Sequence, residues 1–240
     1  MKNNNHLKLV ILAGGRGTRL AELTGVTPKP MIKIGSKPII WHIMKIYSQY
    51  GINRFIICLG YKGELIKREL SKYIKIEKWE IDFVFTGLNT LTGGRIKRIK
   101  DYVKNDEYFF LSYGDGLSDV NIKSLVKFHL KNNKSATLTA VRYKNPKGIL
   151  MINNKSEISL IKEKPMEYIN GGFFVLTNKI FRYLKDDNSI FERDCLTKLS
   201  KNNELLAYKH KGFWACMDTM REKIEINNFW NKKKAPWKIW

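Results

Sequence analysis

Four stretches of this 240-residue sequence have the residue types and spacing to do chemistry. The first is Leu12-Ala13-Gly14-Gly15-Arg16-Gly17-Thr18-Arg19-Leu20, directly behind the apolar run that begins at Leu9. Three glycines in four positions let a backbone turn sharply and approach a ligand closely. Successive N–H groups in such a turn form a concavity for anions. Arg19 ends the loop with a fork of donors suited to phosphate. The second is Pro28-Lys29-Pro30-Met31, whose prolines restrict the backbone and are expected to hold Lys29 in an extended segment. The third and fourth are carboxylates at the ends of apolar runs, Asp115 between two glycines and Asp218 behind Trp214–Met217. Each suits an oxygen-only Mg²⁺ site, which takes one or two carboxylates plus substrate phosphates. Asp115 equally fits an Asp-Gly surface turn, and Asp218 a helix cap.

The glycine cluster is neither of the two better-known phosphate loops. A P-loop needs four residues between its first glycine and Gly-Lys-Ser/Thr, and that tripeptide is missing from this region. The dinucleotide fingerprint needs G-x-G-x-x-G. Gly15-Arg16-Gly17-Thr18-Arg19-Leu20 has leucine at the third place.

The elements around these stretches alternate. Apolar runs over 9–12, 52–59, 81–85 and 108–113 read as strands, and 38–51, 64–73, 94–104 and 121–131 as helices. Strand–helix alternation argues for a parallel sheet. Thr90 to Arg95 then fall at a strand's carboxyl end, where open α/β sheets bind ligands. Ser135 to Tyr143 reads as a strand, Gly148 to Leu160 as short strands, and Lys179–Leu184 and Phe191–Lys201 as helical segments. Lys164 stands at a strand end before Pro165 and can point at an anion, while Gly171 and Gly172 open a strand and permit close backbone approach.

With 43% apolar residues the chain can bury a sizeable core, and nothing in its composition suggests disorder. No apolar run reaches the length of a membrane span, and the first one is too short for a signal peptide, so the cytosol is expected. Cys58, Cys195 and Cys216 are widely spaced, which argues against a disulfide framework or a zinc site. The net charge of +22 would attract phosphorylated partners. Its lysines are spread along the chain, so small phosphates are expected rather than nucleic acid. No repeat or linker divides the chain, and one domain over 1–240 is expected.

Taken together, these stretches resemble the sugar-1-phosphate nucleotidylyltransferases. Trp41-His42-Ile43-Met44, Thr92-Gly93-Gly94-Arg95 and Ala235-Pro236-Trp237-Lys238 are similar to the glucose-1-phosphate cytidylyltransferase branch, and the likeness spans almost the whole chain. The resemblance implies a Rossmann-like α/β nucleotidyltransferase fold: a mostly parallel mixed sheet flanked by helices, with a small β-rich sugar-binding part. It implies that CTP and glucose 1-phosphate give CDP-glucose and pyrophosphate for surface polysaccharide synthesis, with Mg²⁺, in a homo-oligomer. By motif, Leu12, Ala13, Gly14, Gly15, Arg16, Gly17, Thr18, Arg19, Lys29, Thr90, Arg95 and Gly114 would hold the nucleotide. Arg19 and Lys29 would be catalytic, at the reacting phosphates. Lys164 would hold the sugar phosphate, Gly171 and Gly172 would line the sugar pocket, and Asp115 and Asp218 would bind the metal. Other readings stay open: a different phosphorylated acceptor, a non-catalytic nucleotide binder, or a nucleic-acid binder.

Overall fold

The computed structural model describes residues 7–17, 25–145 and 147–240. Thr18, Arg19 and Leu20, expected to close the glycine loop, lie outside the described residues. The first half holds strands β1 (Lys8–Leu12), β2 (Lys33–Ile34), β3 (Lys37–Pro38), β4 (Arg54–Leu59), β5 (Glu80–Phe85), β6 (Phe109–Tyr113) and β7 (Gly116–Ser118). The second half holds β8 (Ala136–Lys144), β9 (Ile149–Ile152), β10 (Ile158–Lys162), β11 (Met166–Leu176), β12 (Leu205–His210) and β13 (Trp214–Cys216). The longer helices are α1 (Ile39–Ser48), α2 (Gly63–Glu77), α3 (Thr92–Arg98), α4 (Ile122–Asn132) and α5 (Met220–Asn231).

Seven strands form the central sheet in the order β12-β8-β11-β6-β1-β4-β5. All neighbours pair parallel except at β11, which runs antiparallel to both β6 and β8. This is the expected mostly parallel mixed sheet. Leu9 and Ile11 enter one core layer and Val10 the other, the alternation of a strand covered on both faces. The carboxyl ends of β1, β4, β5 and β6 share one edge, and the loops leaving them carry the glycine cluster, Thr90–Arg95 and Asp115.

Two elements differ from the sequence expectation. The helix expected to run unbroken to Lys104 stops at Ile99 (φ −98°, ψ 9°) and resumes as a short turn at Lys100–Val103. The break lets Ile96, Ile99 and Val103 all reach full burial on the sheet. Helix α1 shows more than one apolar face: residues 39 to 44 are all buried. Its outer side is covered by the chain's end, with the Trp41 and Trp240 rings 5.6 Å apart and those of His42 and Trp230 4.6 Å apart. The basic tail thus packs on its own chain, with Trp237 fully buried. Among the described residues no helix is long and apolar enough to cross a membrane.

Candidate active site

The glycine loop is tied to the end of the neighbouring strand. Ala13 N–H donates to Cys58 O (3.1 Å) and Tyr61 N–H to Gly14 O (3.1 Å). A Cβ on Gly14 would lie 2.2 Å from Arg95 Nη1, so only glycine fits. Arg95, 5% exposed, donates through Nη1 to Leu59 O (3.1 Å), Thr86 Oγ1 (2.8 Å) and Gly87 O (2.8 Å). Through Nη2 it donates to Gly14 O (3.1 Å). Its guanidinium therefore knits together the loops behind β1, β4 and β5. These loops wall a cavity of about 440 Å³ whose lining includes Leu12, Ala13, Gly14, Gly15, Gly17, Lys29, Thr90, Arg95 and Gly114. Arg16 is exposed beside the cavity, its guanidinium 5.9 Å from the Tyr61 ring centre and 3.4 Å from Asn89 Oδ1.

At one end of that cavity Lys29 Nζ sits between two carboxylates, 2.6 Å from Asp115 Oδ2 and 2.5 Å from Asp218 Oδ1. The extended conformation expected at Lys29 is not adopted. Lys29–Met31 forms a tight 3₁₀ turn, closed by Met31 N–H donating to Pro28 O (2.8 Å). Buried Pro28 and Pro30 anchor the turn, and a proline's fixed φ suits a first turn. Burial works against the Lys29 charge, but Asp115 and then Asp218 more than offset it, so its pKa is raised and the ammonium persists.

Asp115 follows β6 directly. The antiparallel pair β7–β13 sets Cys216 opposite Gly116, and Met217 N–H donates to Asp115 O (3.0 Å). This register brings Asp218 to Asp115. Asp218 is not the helix cap. Thr219 caps α5 in a capping box with Glu222, and Glu222 Oε2 also accepts from Asp218 N–H (2.8 Å). The Cys216 thiol lies in the same cluster, its ligand atom within 4.8 Å of those of both aspartates. Burial, Asp115 and Asp218 push that thiol's pKa well up, so it stays neutral. Two carboxylate oxygens beside a phosphate-sized cavity are hard donors that fit a divalent cation bound mainly through oxygen.

A second cavity of about 280 Å³ opens on the other side and shares Tyr113 and Asp115 with the first. Gly171 and Gly172 line it, at a bulge where the β11–β8 register shifts between Asn170 and Phe174. Gly172 has φ +78°, and a Cβ there would lie 2.8 Å from Tyr113 Cδ2. Gly171 O accepts from Trp214 Nε1–H (2.8 Å). Tyr113 donates its hydroxyl to Glu192, and Asn170 Nδ2–H donates to the Tyr113 oxygen (3.2 Å). Burial and then the Glu192 charge push the Tyr113 pKa far up, so it stays protonated. Lys164 is not brought to either cavity. It sits at the bend between β10 and β11 (φ +43°), with its side chain 52% exposed and Nζ 3.9 Å from Glu163 Oε1. The lysine before a proline does not end a strand; it lies in the short bend between β10, of the β9–β10 hairpin, and β11, of the central sheet.

The nucleotidyl transferase family description matches residues 8–233. Glucose-1-phosphate cytidylyltransferase of Salmonella typhimurium is 44% identical over 257 aligned positions, covering 98% of this chain and 100% of that protein. The probable glucose-1-phosphate cytidylyltransferase of Bacillus subtilis is 42% identical at the same coverage. The crystal structure of HddC from Yersinia pseudotuberculosis superimposes with a TM-score of 0.75 at 27% identity, over 93% of this chain and 99% of that one. The chain belongs to the nucleotidyl transferase family.

Within that family it groups with the glucose-1-phosphate cytidylyltransferases, and it is an enzyme of nucleotidyl transfer. The nucleotidyl transferase fold also accounts for what sequence reasoning passed over. Tyr113, Asn170, Glu192 and Cys216 all reach the site, yet none was singled out as a site residue. Tyr113 and Asn170 had a signal, since each immediately precedes a glycine, Tyr113 at the end of β6 and Asn170 at the bulge inside β11. Glu192 had none. It sits in a segment that reads as ordinary helix but folds as a π-turn over Phe191–Leu196, a form often found at functional sites.

Proposed function

We propose that this nucleotidyl transferase joins CTP and glucose 1-phosphate to give CDP-glucose and pyrophosphate. The observation that carries the reading is the meeting of two cavities at Asp115, with Lys29 held between Asp115 and Asp218 at the junction. CTP takes the cavity lined by the glycine loop and Thr90, while Arg95 fixes the loop's shape through its bond to Gly14 O. By its place in the sequence motif, Arg19 is proposed to act on the nucleotide phosphates. Glucose 1-phosphate takes the cavity of Gly171 and Gly172.

An oxygen of the acceptor phosphate attacks the α-phosphorus in line. A new P–O bond forms as the bond to the β-phosphate breaks, and pyrophosphate leaves with the electron pair. The attacking oxygen is already ionised near neutral pH, so no residue need remove a proton. The barrier lies in bringing anionic groups together, and Lys29 lowers it by placing a fixed cation where negative charge concentrates. Asp115 and Asp218 would hold Mg²⁺, which when bound neutralises phosphate charge as a Lewis acid. Lys164 takes a part only if the β9–β10 hairpin closes over the acceptor. An oligomeric enzyme is also proposed, since that hairpin exposes Leu150, Met151, Ile152 and Ile161.

A pyrophosphate-release screen of four nucleoside triphosphates against several sugar phosphates tests the reading. CTP with glucose 1-phosphate should be the fastest pair. Faster release with another nucleotide, or none with CTP and any sugar phosphate, overturns it.

A further inference from the structure

Glu192 lines the nucleotide cavity, but both of its carboxylate oxygens are turned away to protein hydroxyls. Oε2 accepts from Thr92 Oγ1–H (3.0 Å), and Thr92 Oγ1 itself accepts from Phe191 N–H (2.9 Å). Oε1 accepts from the Tyr113 hydroxyl. A carboxylate can only accept, so Tyr113 must spend its one proton on Glu192. Its oxygen is left as an acceptor, and Asn170 Nδ2–H fills that place at 3.2 Å.

The other end of the chain of bonds points the same way, so the Asn170 amide is held from both ends. Gly172 N–H can only donate, and it donates to Asn170 Oδ1 at 2.9 Å. The Asn170 amide is therefore held oxygen toward Gly172 and nitrogen toward Tyr113. Every bond from Glu192 to Gly172 runs one way. Tyr113 and Asn170 line the acceptor cavity, whereas Glu192 lines only the nucleotide cavity of the two. Asn170 Nδ2 carries a second hydrogen that the bond to Tyr113 does not use.

We infer that Glu192 is a positioning residue for acceptor recognition: through Tyr113 it fixes the Asn170 amide so that an N–H meets a ring hydroxyl oxygen of the sugar phosphate. The inference rests on the proposed reading of the second cavity as the acceptor site. It assigns a residue on the nucleotide side to the selection of the other substrate. Glu192 lies 79 residues from Tyr113 and is carried by the π-turn that packs against α3. Its position is set by the fold on the nucleotide side and read out on the acceptor side.

Steady-state kinetics with each substrate varied in turn test this, using wild-type enzyme, Glu192→Gln, Tyr113→Phe and the double variant. Glutamine keeps the volume but cannot accept at both ends, and phenylalanine keeps the ring while removing the middle link. Each single variant should raise the Michaelis constant for the sugar phosphate about tenfold, the scale of one misdirected buried hydrogen bond. The constant for CTP should change less than about twofold, within the scatter of neutral substitutions. The double variant should be no worse than Tyr113→Phe alone, because Glu192 then has no route to Asn170. Additive losses, or a raised Michaelis constant for CTP, overturn the inference. Thermal melts of all four proteins identify any variant that fails to fold; unfolded Glu192→Gln alongside folded Tyr113→Phe with unchanged acceptor affinity also overturns it. Failure of the underlying reading looks different: wild-type enzyme itself would then show no turnover with the sugar phosphate.

Discussion

The nucleotide cavity takes its shape from a glycine loop packed on a buried arginine, and the acceptor cavity from a glycine bulge packed on a tyrosine. Gly14 and Gly172 make the difference concrete. A Cβ at Gly14 would strike Arg95, a buried guanidinium whose Nη atoms donate to carbonyls of the surrounding loops. A Cβ at Gly172 would strike the ring of Tyr113, which belongs to a side-chain relay. The first region rests on parallel strands and short loops that recur wherever a phosphate must be cradled. The second rests on β11, the one antiparallel strand of the sheet, and on a bulge that turns two glycines and an asparagine into a cavity.

The largest effect belongs to the residues both regions share. Asp115→Asn and Asp218→Asn should each lower turnover by about 10²-fold or more, the scale of losing a preorganised electrostatic group at the reacting centre. Circular dichroism should show both variants folded. Near-normal rates at saturating Mg²⁺ would remove these residues from the centre.

Next come the two glycines, which should fail on opposite sides. Gly14→Ala should raise the Michaelis constant for CTP by about tenfold, equivalent to 1.4 kcal/mol, and leave that for the sugar phosphate nearly unchanged. Gly172→Ala should do the reverse. It should also lose roughly 1–2 kcal/mol of stability, since an L-residue pays that much in the left-handed region. Equal effects of both variants on both substrates would erase the division.

The smallest effect concerns the aromatic cluster that braces the Lys29 turn from behind. His42 is buried, accepts at Nδ1 from Trp237 Nε1–H (3.4 Å) and donates from Nε2 to Ile34 O (3.0 Å). Burial pushes its pKa down to about 4 from 6.5. Above pH 6.5 it is neutral whether the chain is folded or not. As the pH falls from 6.5 toward 4, only the unfolded chain takes up the proton, so stability declines through that window. Denaturation at pH 7 and pH 4.5 should show a smaller decline for His42→Gln than for wild type. Some decline should remain from His129, whose pKa burial also lowers to about 4. An identical decline in both proteins would remove His42 from this account.

What was legible in the sequence follows the same line. The glycine loop, Lys29 and Asp115 each sit in a short stretch whose residue types suggest their chemistry, and the structure brings them to one cavity. The parallel half of the sheet was equally plain, because its strands and helices alternate. Glu192 was not legible, because its partner is remote and its helix is a π-turn. The 3₁₀ turn at Lys29 was missed because the rule for residues before proline is a preference, and burial of Pro28, Pro30 and Met31 overrides it. Lys164 shows the opposite failure. Its local pattern suggested an anion site, but it sits half-exposed in the bend between β10 and β11 and lines neither cavity.

The central claim is that Lys29, between Asp115 and Asp218 where the two cavities meet, acts on the reacting phosphates rather than on binding either substrate. Steady-state kinetics of Lys29→Ala with CTP and glucose 1-phosphate varied separately test it most directly. An interaction made chiefly in the transition state appears in the turnover number. The account predicts turnover at saturating substrates reduced by about 10²-fold, with both Michaelis constants close to wild type. Turnover near wild type, with the loss confined to the Michaelis constant for CTP or for glucose 1-phosphate, would contradict it.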